Sequence, residues 1–194
     1  MTASRAPLSL VKRAEAPDAE VLARVAAGEV SALGTLYDRY CHDVRRVLAR
    51  IGVAPGDLDD LVQECFLEVV RSARNYDGRA NAKPWLAGLA VNLARRHRRS
   101  LGVFLRNLSS FAREPSTPSS SPEEHLSDAR AGRDAMRALD ALSTKKREVF
   151  ALVVLEGMPG EEAARALGIP VATVWTRLHH ARRELRAALE AEES

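Results

Sequence analysis

Residues 157–185 read GMPGEEAARALGIPVATVWTRLHHARREL, and the fold turns on this stretch. Glu161–Leu167 has the pattern of a short helix with Ala163, Ala164 and Leu167 on one face. Gly168-Ile169-Pro170 interrupts it, because glycine supplies a turn and proline suits the first positions of a new helix. From Val171 to about Leu189 a second helix follows. Its inner stripe is Val174, Leu178, Ala181 and Leu185, at steps of 4, 3 and 4 residues. At about 100° per residue, the opposite face carries Ala172, Thr176, His179 and Arg183, flanked by Trp175, Arg177, His180 and Arg182. Two helices joined by a glycine turn, with basic and hydrogen-bonding groups outward, suit the DNA major groove. An ordinary amphipathic hairpin with a solvated basic face would read the same way locally.

Upstream of this motif, Ala129–Leu142 reads as a helix, Ser143 as the cap of another with Val149, Phe150, Leu152 and Val153 inward, and Gly157 as its stop. Before these, Ser109–Pro122 (SSFAREPSTPSSSP) has ten Ser, Thr or Pro among fourteen residues. Such a stretch buries too little apolar surface to offset its ordering entropy, so it reads as a flexible linker. The chain thus divides into a leader at 1–17, a block at 18–100, a linker at 101–127 and a block at 128–194. Strand patterns are missing from both blocks, and the fold class is all-α: two small helical domains on a flexible joint.

Four helices are expected in the first block. Asp18–Ala27 ends at Gly28. Ser31–Ile51 opens on a serine cap and ends before Gly52, with Leu33, Leu36, Tyr37, Tyr40, Val44, Val47, Leu48 and Ile51 at 3- and 4-residue steps. Asp57 caps the third, which turns Leu58, Leu61, Val62, Cys65, Phe66, Val69 and Val70 inward and stops at Tyr76-Asp77-Gly78. Pro84 sits in the first turn of the fourth, whose inner face is Trp85, Leu86, Leu89, Ala90 and Leu93. That helix finishes in RRHRR at 95–99.

With 29 Lys+Arg against 26 Asp+Glu in 194 residues, net charge is only +3, and its distribution says more than its total. Cys41 and Cys65 lie in apolar helical patterns without ligand spacing, which predicts reduced, buried thiols rather than a disulfide or zinc site. The first seventeen residues lack the apolar run of a signal peptide, and no stretch of about 18 apolar residues is present to span a bilayer. A cytoplasmic protein without direct membrane insertion is the expectation. No Gly-rich phosphate loop, nucleophile elbow or acid/base pair argues for an enzyme, and no cofactor or metal is implied.

The arginines at 95–99 fit a solvated helix end, since cations favour a helix C-terminus, but beside a loop and upstream of a DNA-directed block they also fit a phosphate grip. Asp57, Asp60, Glu64 and Glu68 fall close to one face of the third helix. First-turn acids suit the helix dipole; a two-metal site would want Glu or Glu-x-x-His on a second helix, and none offers it. An acidic surface for a basic partner protein is preferred. Trp85 reads as core or as support for an unstacked base. Trp175 stands at the border of the outer face, where DNA or a protein partner could meet it.

In this order, two DNA-directed blocks, an acidic helix and a polar joint resemble the extracytoplasmic-function (ECF) sigma factors, the small promoter-specificity subunits of bacterial RNA polymerase. The matching stretches are DLVQECFLEVV at 60–70, YDG at 76–78, WLAGLAVNLA at 85–94, KREVF at 146–150, LEG at 155–157, Ala163, and TVWTRLHHARREL at 173–185. The resemblance implies a region 2 domain in the first block and a region 4 domain in the second. Core polymerase would dock on Asp60, Gln63, Glu64 and Phe66. The −10 element would be opened and read by Asn81, Lys83, Trp85, Asn92, Arg95, Arg96, Arg98 and Arg99. Thr173, Trp175, Thr176, Arg177, His179, His180, Arg182 and Arg183 would meet the −35 element. It further implies core RNA polymerase, promoter DNA and an anti-sigma factor, often membrane-tethered, as partners of a chain that is monomeric when free. Where many members carry an acidic linker, this one has only Glu114, Glu123 and Glu124. A stand-alone helix-turn-helix regulator is the alternative. Extended, residues 101–132 would reach about 105 Å at about 3.3 Å each, enough for two DNA boxes about 70 Å apart.

Overall fold

The computed structural model describes residues 16–109 and 139–192. The leader before 16 and most of the linker, with His125 and the first part of the helix expected at 129–142, lie outside them. Among the described residues there are seven α-helices and no strand: α1 (Asp18–Ala26), α2 (Val30–Arg50), α3 (Leu58–Ser72), α4 (Lys83–Ser109), α5 (Thr144–Phe150), α6 (Gly160–Leu167) and α7 (Val171–Glu192).

Apolar periodicity builds the first four into a bundle. Val21, Leu22, Leu36, Val44, Leu48, Leu61, Val69, Leu86 and Leu93 meet in its interior. Gly28, Gly52 and Gly168 adopt the positive φ that ends α1, α2 and α6. Several caps differ from expectation. α2 starts at Val30, with Glu29 before it, while Ser31 Oγ donates to Glu29 at 2.6 Å. Asp57 makes no capping bond; its carboxylate pairs with His97 Nε2 at 3.0 Å. α3 stops at Ser72 and a 3₁₀ turn, Ala73–Asn75, carries the chain to Tyr76. α4 runs past the arginine cluster to Ser109.

A buried carboxylate ties α1, α2 and the loop before α4 together. Asp18 pairs with Arg39, accepts the Tyr40 hydroxyl at 2.5 Å, and accepts the Ala82 amide at 2.8 Å. Three elements therefore share one anion. Burial, then the Asp18 hydrogen bond, pushes the Tyr40 phenol far above its ordinary value. Burial also raises the Cys65 thiol to about 12, so this cysteine stays protonated, as a packing residue should.

In the second block, α5 passes into a π turn, Ala151–Leu155, whose closing bond runs from the Glu156 amide to the Ala151 carbonyl at 2.9 Å. Gly157 then reverses the chain into α6, and α7 packs across α5 and α6. Leu139 and Leu142 pack on Ala181, further along the buried stripe of α7.

The joint was read as flexible, leaving the two blocks free of each other. In the structure they share one hydrophobic core: α6 lies on α4, and Val149, Leu152, Ala163 and Val174 join the interior of the first bundle. Gly88 of α4 permits this, since a Cβ there would stand 3.0 Å from the Ala166 carbonyl oxygen and 3.2 Å from its Cα.

Candidate polymerase and nucleic-acid interfaces

The acidic face of α3 is open to solvent. Asp60, Gln63 and Glu64 are exposed together, as their spacing predicts. Phe66 is not available beside them. It is 4% exposed and stacks on Tyr37 with ring centroids 4.8 Å apart, so its place is beneath the face rather than on it. Val70, expected inward, is exposed, and Leu67 is 55% exposed. The buried arc of α3 is narrower than its apolar sequence suggested. An acidic rim with an exposed apolar strip (Leu67, Val70 and part of Tyr37) is a protein-docking surface in composition, and the strip was the part that the sequence reading missed.

On α7 the sorted faces hold. Val174, Leu178 and Ala181 are buried; Thr176, His179, Arg182 and Arg183 are exposed, while Thr173, Arg177, His180 and Leu185 are half-buried. The His179 and His180 rings lie edge to face, 5.7 Å apart. Trp175 is 52% exposed, and its indole covers Gly160, where a Cβ would fall 2.5 Å from the ring. One face of this tryptophan thus braces the start of α6 and the other stays open. Arg177 and Lys145 line a basic cleft of about 540 Å³ together with Arg95, Arg98 and Arg99.

Around the start of α4, Asn81 Oδ1 accepts the Lys83 amide at 2.9 Å and so caps the helix. Trp85 is half-buried, edge-on to Tyr76 at 5.2 Å, and borders a cavity of about 220 Å³ with Asn81 and Asn92. The second block closes that cavity with Glu162 and Arg165. Arg96 reaches Glu68 at 3.6 Å, and Arg99 is exposed.

Three expected −10 cations, each still 27–29% exposed at the side chain, pair with carboxylates of the second block. Glu148 accepts from Arg95 Nη2 at 2.6 Å and Arg98 Nη2 at 3.0 Å. Glu156 meets Lys83 Nζ at 3.2 Å, Arg46 Nη2 at 3.0 Å, and Arg50. Both carboxylates are 1% exposed. Backbone carbonyls join in: Arg147 Nε donates to the Arg50 carbonyl at 2.7 Å, Arg98 Nη1 to that of Ile51 at 3.0 Å, and Arg50 Nη1 to that of Leu155 at 2.7 Å. Guanidinium groups are thereby placed at the C-terminus of α2, where its unpaired carbonyls want donors.

Burial alone would raise the Glu156 carboxyl, but hydrogen bonds from Arg46 and Lys83 and the Arg50 charge outweigh it and hold the pKa below its ordinary value. Of the other acids nearby, Asp43 shares Lys83 at 3.5 Å. A depressed pKa means that this pairing is complete above the ordinary carboxylate range and is lost as pH falls through the lower folded value. Acid titration followed by small-angle scattering should therefore separate the blocks only in that acid window, and Glu156→Gln should flatten the transition. An equal acid transition in the variant would assign it to other carboxylates.

The comparisons with known proteins agree with this geometry. Residues 36–103 match the family described as Sigma-70 region 2, and residues 133–185 match Sigma-70, region 4. The RNA polymerase sigma factor NccH of Alcaligenes xylosoxydans xylosoxydans is 31% identical over 89% of this chain and 95% of its own length.

The chain belongs to the ECF sigma factors.

The ECF RNA polymerase sigma-E factor of Escherichia coli (strain K12) is 28% identical over 85% of this chain and 90% of its own. Among solved structures, CnrH in complex with the cytosolic domain of CnrY superposes with a TM-score of 0.65 at 27% identity, covering 90% of this chain and 97% of that one. As an alternative sigma factor it binds core RNA polymerase and directs it to promoters; it is a transcription initiation factor and not an enzyme. No helix among the described residues is long and apolar enough to cross a membrane.

Proposed function

We propose that this sigma factor divides its work between three faces, the third of them partly overhung by the second block. Asp60, Gln63 and Glu64, with Leu67 and Val70 further along the same helix, dock on the polymerase clamp. Thr176, His179 and His180 read base edges of the −35 element, and Arg177, Arg182 and Arg183 hold its phosphates, with Thr173 and Trp175 at the margin. Asn81, Trp85 and Asn92 border the cavity that takes an unstacked −10 base, and Lys83, Arg95, Arg96, Arg98 and Arg99 grip the strand. The observation that carries this reading is α7: its hydrogen-bonding and basic residues form one exposed face on a helix held by a buried stripe.

Transcription by core polymerase on sheared DNA of the source genome, with and without the protein, supplies the promoters for the test. On a promoter so found, Thr176→Ala, His179→Ala or His180→Ala should cost on the order of 1–3 kcal/mol at particular base pairs. Arg182→Ala should weaken binding at all sequences alike and lower the salt slope. The same sequence-blind loss in all four variants would remove the base-reading assignment.

An anti-sigma factor is the proposed regulator: membership of the family implies one, and solved sigma factors of this fold are bound to anti-sigma factors. The protein would work in the cytoplasm as a free monomer, and a tethered inhibitor could hold it at the inner membrane. Hydrogen exchange with a co-expressed inhibitor should show protection at the Asp60/Glu64 face and in the second block. Protection confined to residues 1–17 would overturn a one-to-one clamp on both blocks.

A further inference from the structure

The cleft of about 540 Å³ walled by α4, α5 and α7 gathers cations that lie far apart in sequence. Arg95, Arg98 and Arg99 enter it from the first block, Lys145 and Arg177 from the second. Among the described lining residues Glu148 is the one acid, and it is already committed. It accepts from Arg95 Nη2 at 2.6 Å and Arg98 Nη2 at 3.0 Å. The same two arginines also reach the Leu167 and Ile51 carbonyls, at 3.3 and 3.0 Å. Burial lowers the Arg98 guanidinium against the pull of Glu148, and the Arg95 and Arg147 charges lower it further. Positive charge here therefore exceeds what one carboxylate offsets. Arg99, Lys145 and Arg177 are left with no carboxylate partner among the described residues. The turn Leu167-Gly168-Ile169 completes the wall with two aliphatic side chains and a residue that has none.

We propose that this cleft binds a small, multiply phosphorylated anion, whose phosphate oxygens accept from Arg99 on one block and from Lys145 and Arg177 on the other. The chemistry follows from the donors. Guanidinium forks match phosphate oxygens two at a time, and the lysine ammonium adds a point charge. Three uncompensated cations favour a polyanion over a single carboxylate. The volume is that of a nucleotide-sized ligand, small-molecule sites commonly holding roughly 300–1,000 Å³. A chain of phosphates is what nucleoside polyphosphates and inorganic polyphosphates share, and the Leu167/Ile169 flank offers a nucleoside an apolar surface. The inference needs only the pairing of the blocks and holds whichever promoter element each cation meets. Because the anion touches both blocks, it stabilises their pairing by mass action. Its concentration then becomes an input to how readily the chain opens.

Isothermal titration calorimetry of the full-length chain tests this with sodium tripolyphosphate, ATP and sodium sulfate, free of magnesium and at matched ionic strength. Tripolyphosphate should bind as a single equivalent, on the order of tenfold tighter than sulfate. ATP binding more tightly still would assign the cleft to a nucleotide; ATP binding equally or less tightly would assign it to the phosphate chain alone. Arg99→Ala should weaken tripolyphosphate binding on the order of tenfold, and so should Lys145→Ala with Arg177→Ala, as for loss of a hydrogen bond to a charged group. Arg182→Ala with Arg183→Ala, on the open face of α7, should stay within about twofold of the parent. None of these side chains lies in the core, so circular dichroism should show parental helix content throughout. Tripolyphosphate binding no tighter than sulfate would overturn the site. An equal loss in the Arg182/Arg183 variant would trace the binding to the chain's general positive charge and overturn it as well. Loss confined to the cations of one block would overturn the bridging.

Discussion

Asp18→Ala should destabilise the first block by about 3–5 kcal/mol, the range for breaking a buried ion pair from one side. Arg39 would lose its carboxylate, the Tyr40 hydroxyl its acceptor, and the Ala82 amide its only side-chain partner, all at a site almost closed to water. The Tyr40 hydroxyl and the Ala82 amide each add a desolvation penalty when left without their acceptor, while Arg39 keeps the Ala16 carbonyl at 3.1 Å and loses the opposite charge. Asp18→Asn should fall between, because a carboxamide oxygen still accepts from Ala82 or Tyr40 but no longer neutralises Arg39. Urea unfolding of the full chain measures this directly. A loss below about 1 kcal/mol for the alanine variant would mean that the three donors are served by water. The functional correlate is positional: Ala82 immediately precedes α4, so a slack Asp18 joint should also loosen Asn81, Lys83 and Trp85.

Reversing Asp60 and Glu64 together to arginine should reduce affinity for core polymerase about a hundredfold, equivalent to about 3 kcal/mol, since like charges brought face to face cost several kcal/mol. Stability should move by no more than about 0.5 kcal/mol, because both side chains are exposed and away from the core. Leu67→Ser should act in the same direction through the apolar strip, with a weaker salt dependence than the charge pair. Native-gel titration with core enzyme at two salt concentrations checks the two affinities, and urea unfolding checks the stability. Undiminished binding by the double reversal would relocate the docking face.

Where one helix explains itself, the sequence was sufficient. α7 sorted correctly into a buried stripe and an open face because both are local properties of a 3.6-residue repeat, and the stops at Gly28, Gly52 and Gly168 follow from a conformation that glycine favours. α3 shows the limit of the same logic. Apolar periodicity marks Val70 and Val69 alike, but only neighbours decide which is covered: Val69 is fully buried and Val70 is left 45% exposed. Phe66 matched a docking motif while its ring packs inward on Tyr37. Asp57 looked like a cap and instead found His97, forty residues away.

The pairing of the blocks was out of reach for a different reason. Glu148 and Glu156 carry ordinary letters, one in α5 and one just after the π turn, and the cations that pair with them lie 50 to 110 positions distant. The Ser/Pro-rich joint argued for independence, and it does permit separation. α4 consumes part of it as helix, so residues 101–109 rise only about 1.5 Å each; with residues 110–132 extended at about 3.3 Å each the reach is still about 90 Å. That exceeds the span between two promoter elements, so the same tether serves both the closed chain and the open one.

The π turn at Ala151–Leu155 has a consequence for how this chain can change over generations. Such a turn holds one residue more than an α-helical turn would, and it sits between Glu148 and Glu156, the two acids that must land on separate clusters of cations. Five residues in such a turn go about as far round as four in an α-helix, so loss of a single codon within it, for Val153 or Val154, would relax the turn to α and leave everything downstream close to its present phase. Removing a residue from α5 instead, where no extra residue is held, would rotate Glu156 by about 100° away from Arg46, Arg50 and Lys83. The π turn is thus the place between positions 148 and 156 where a single deletion preserves the pairing of the blocks.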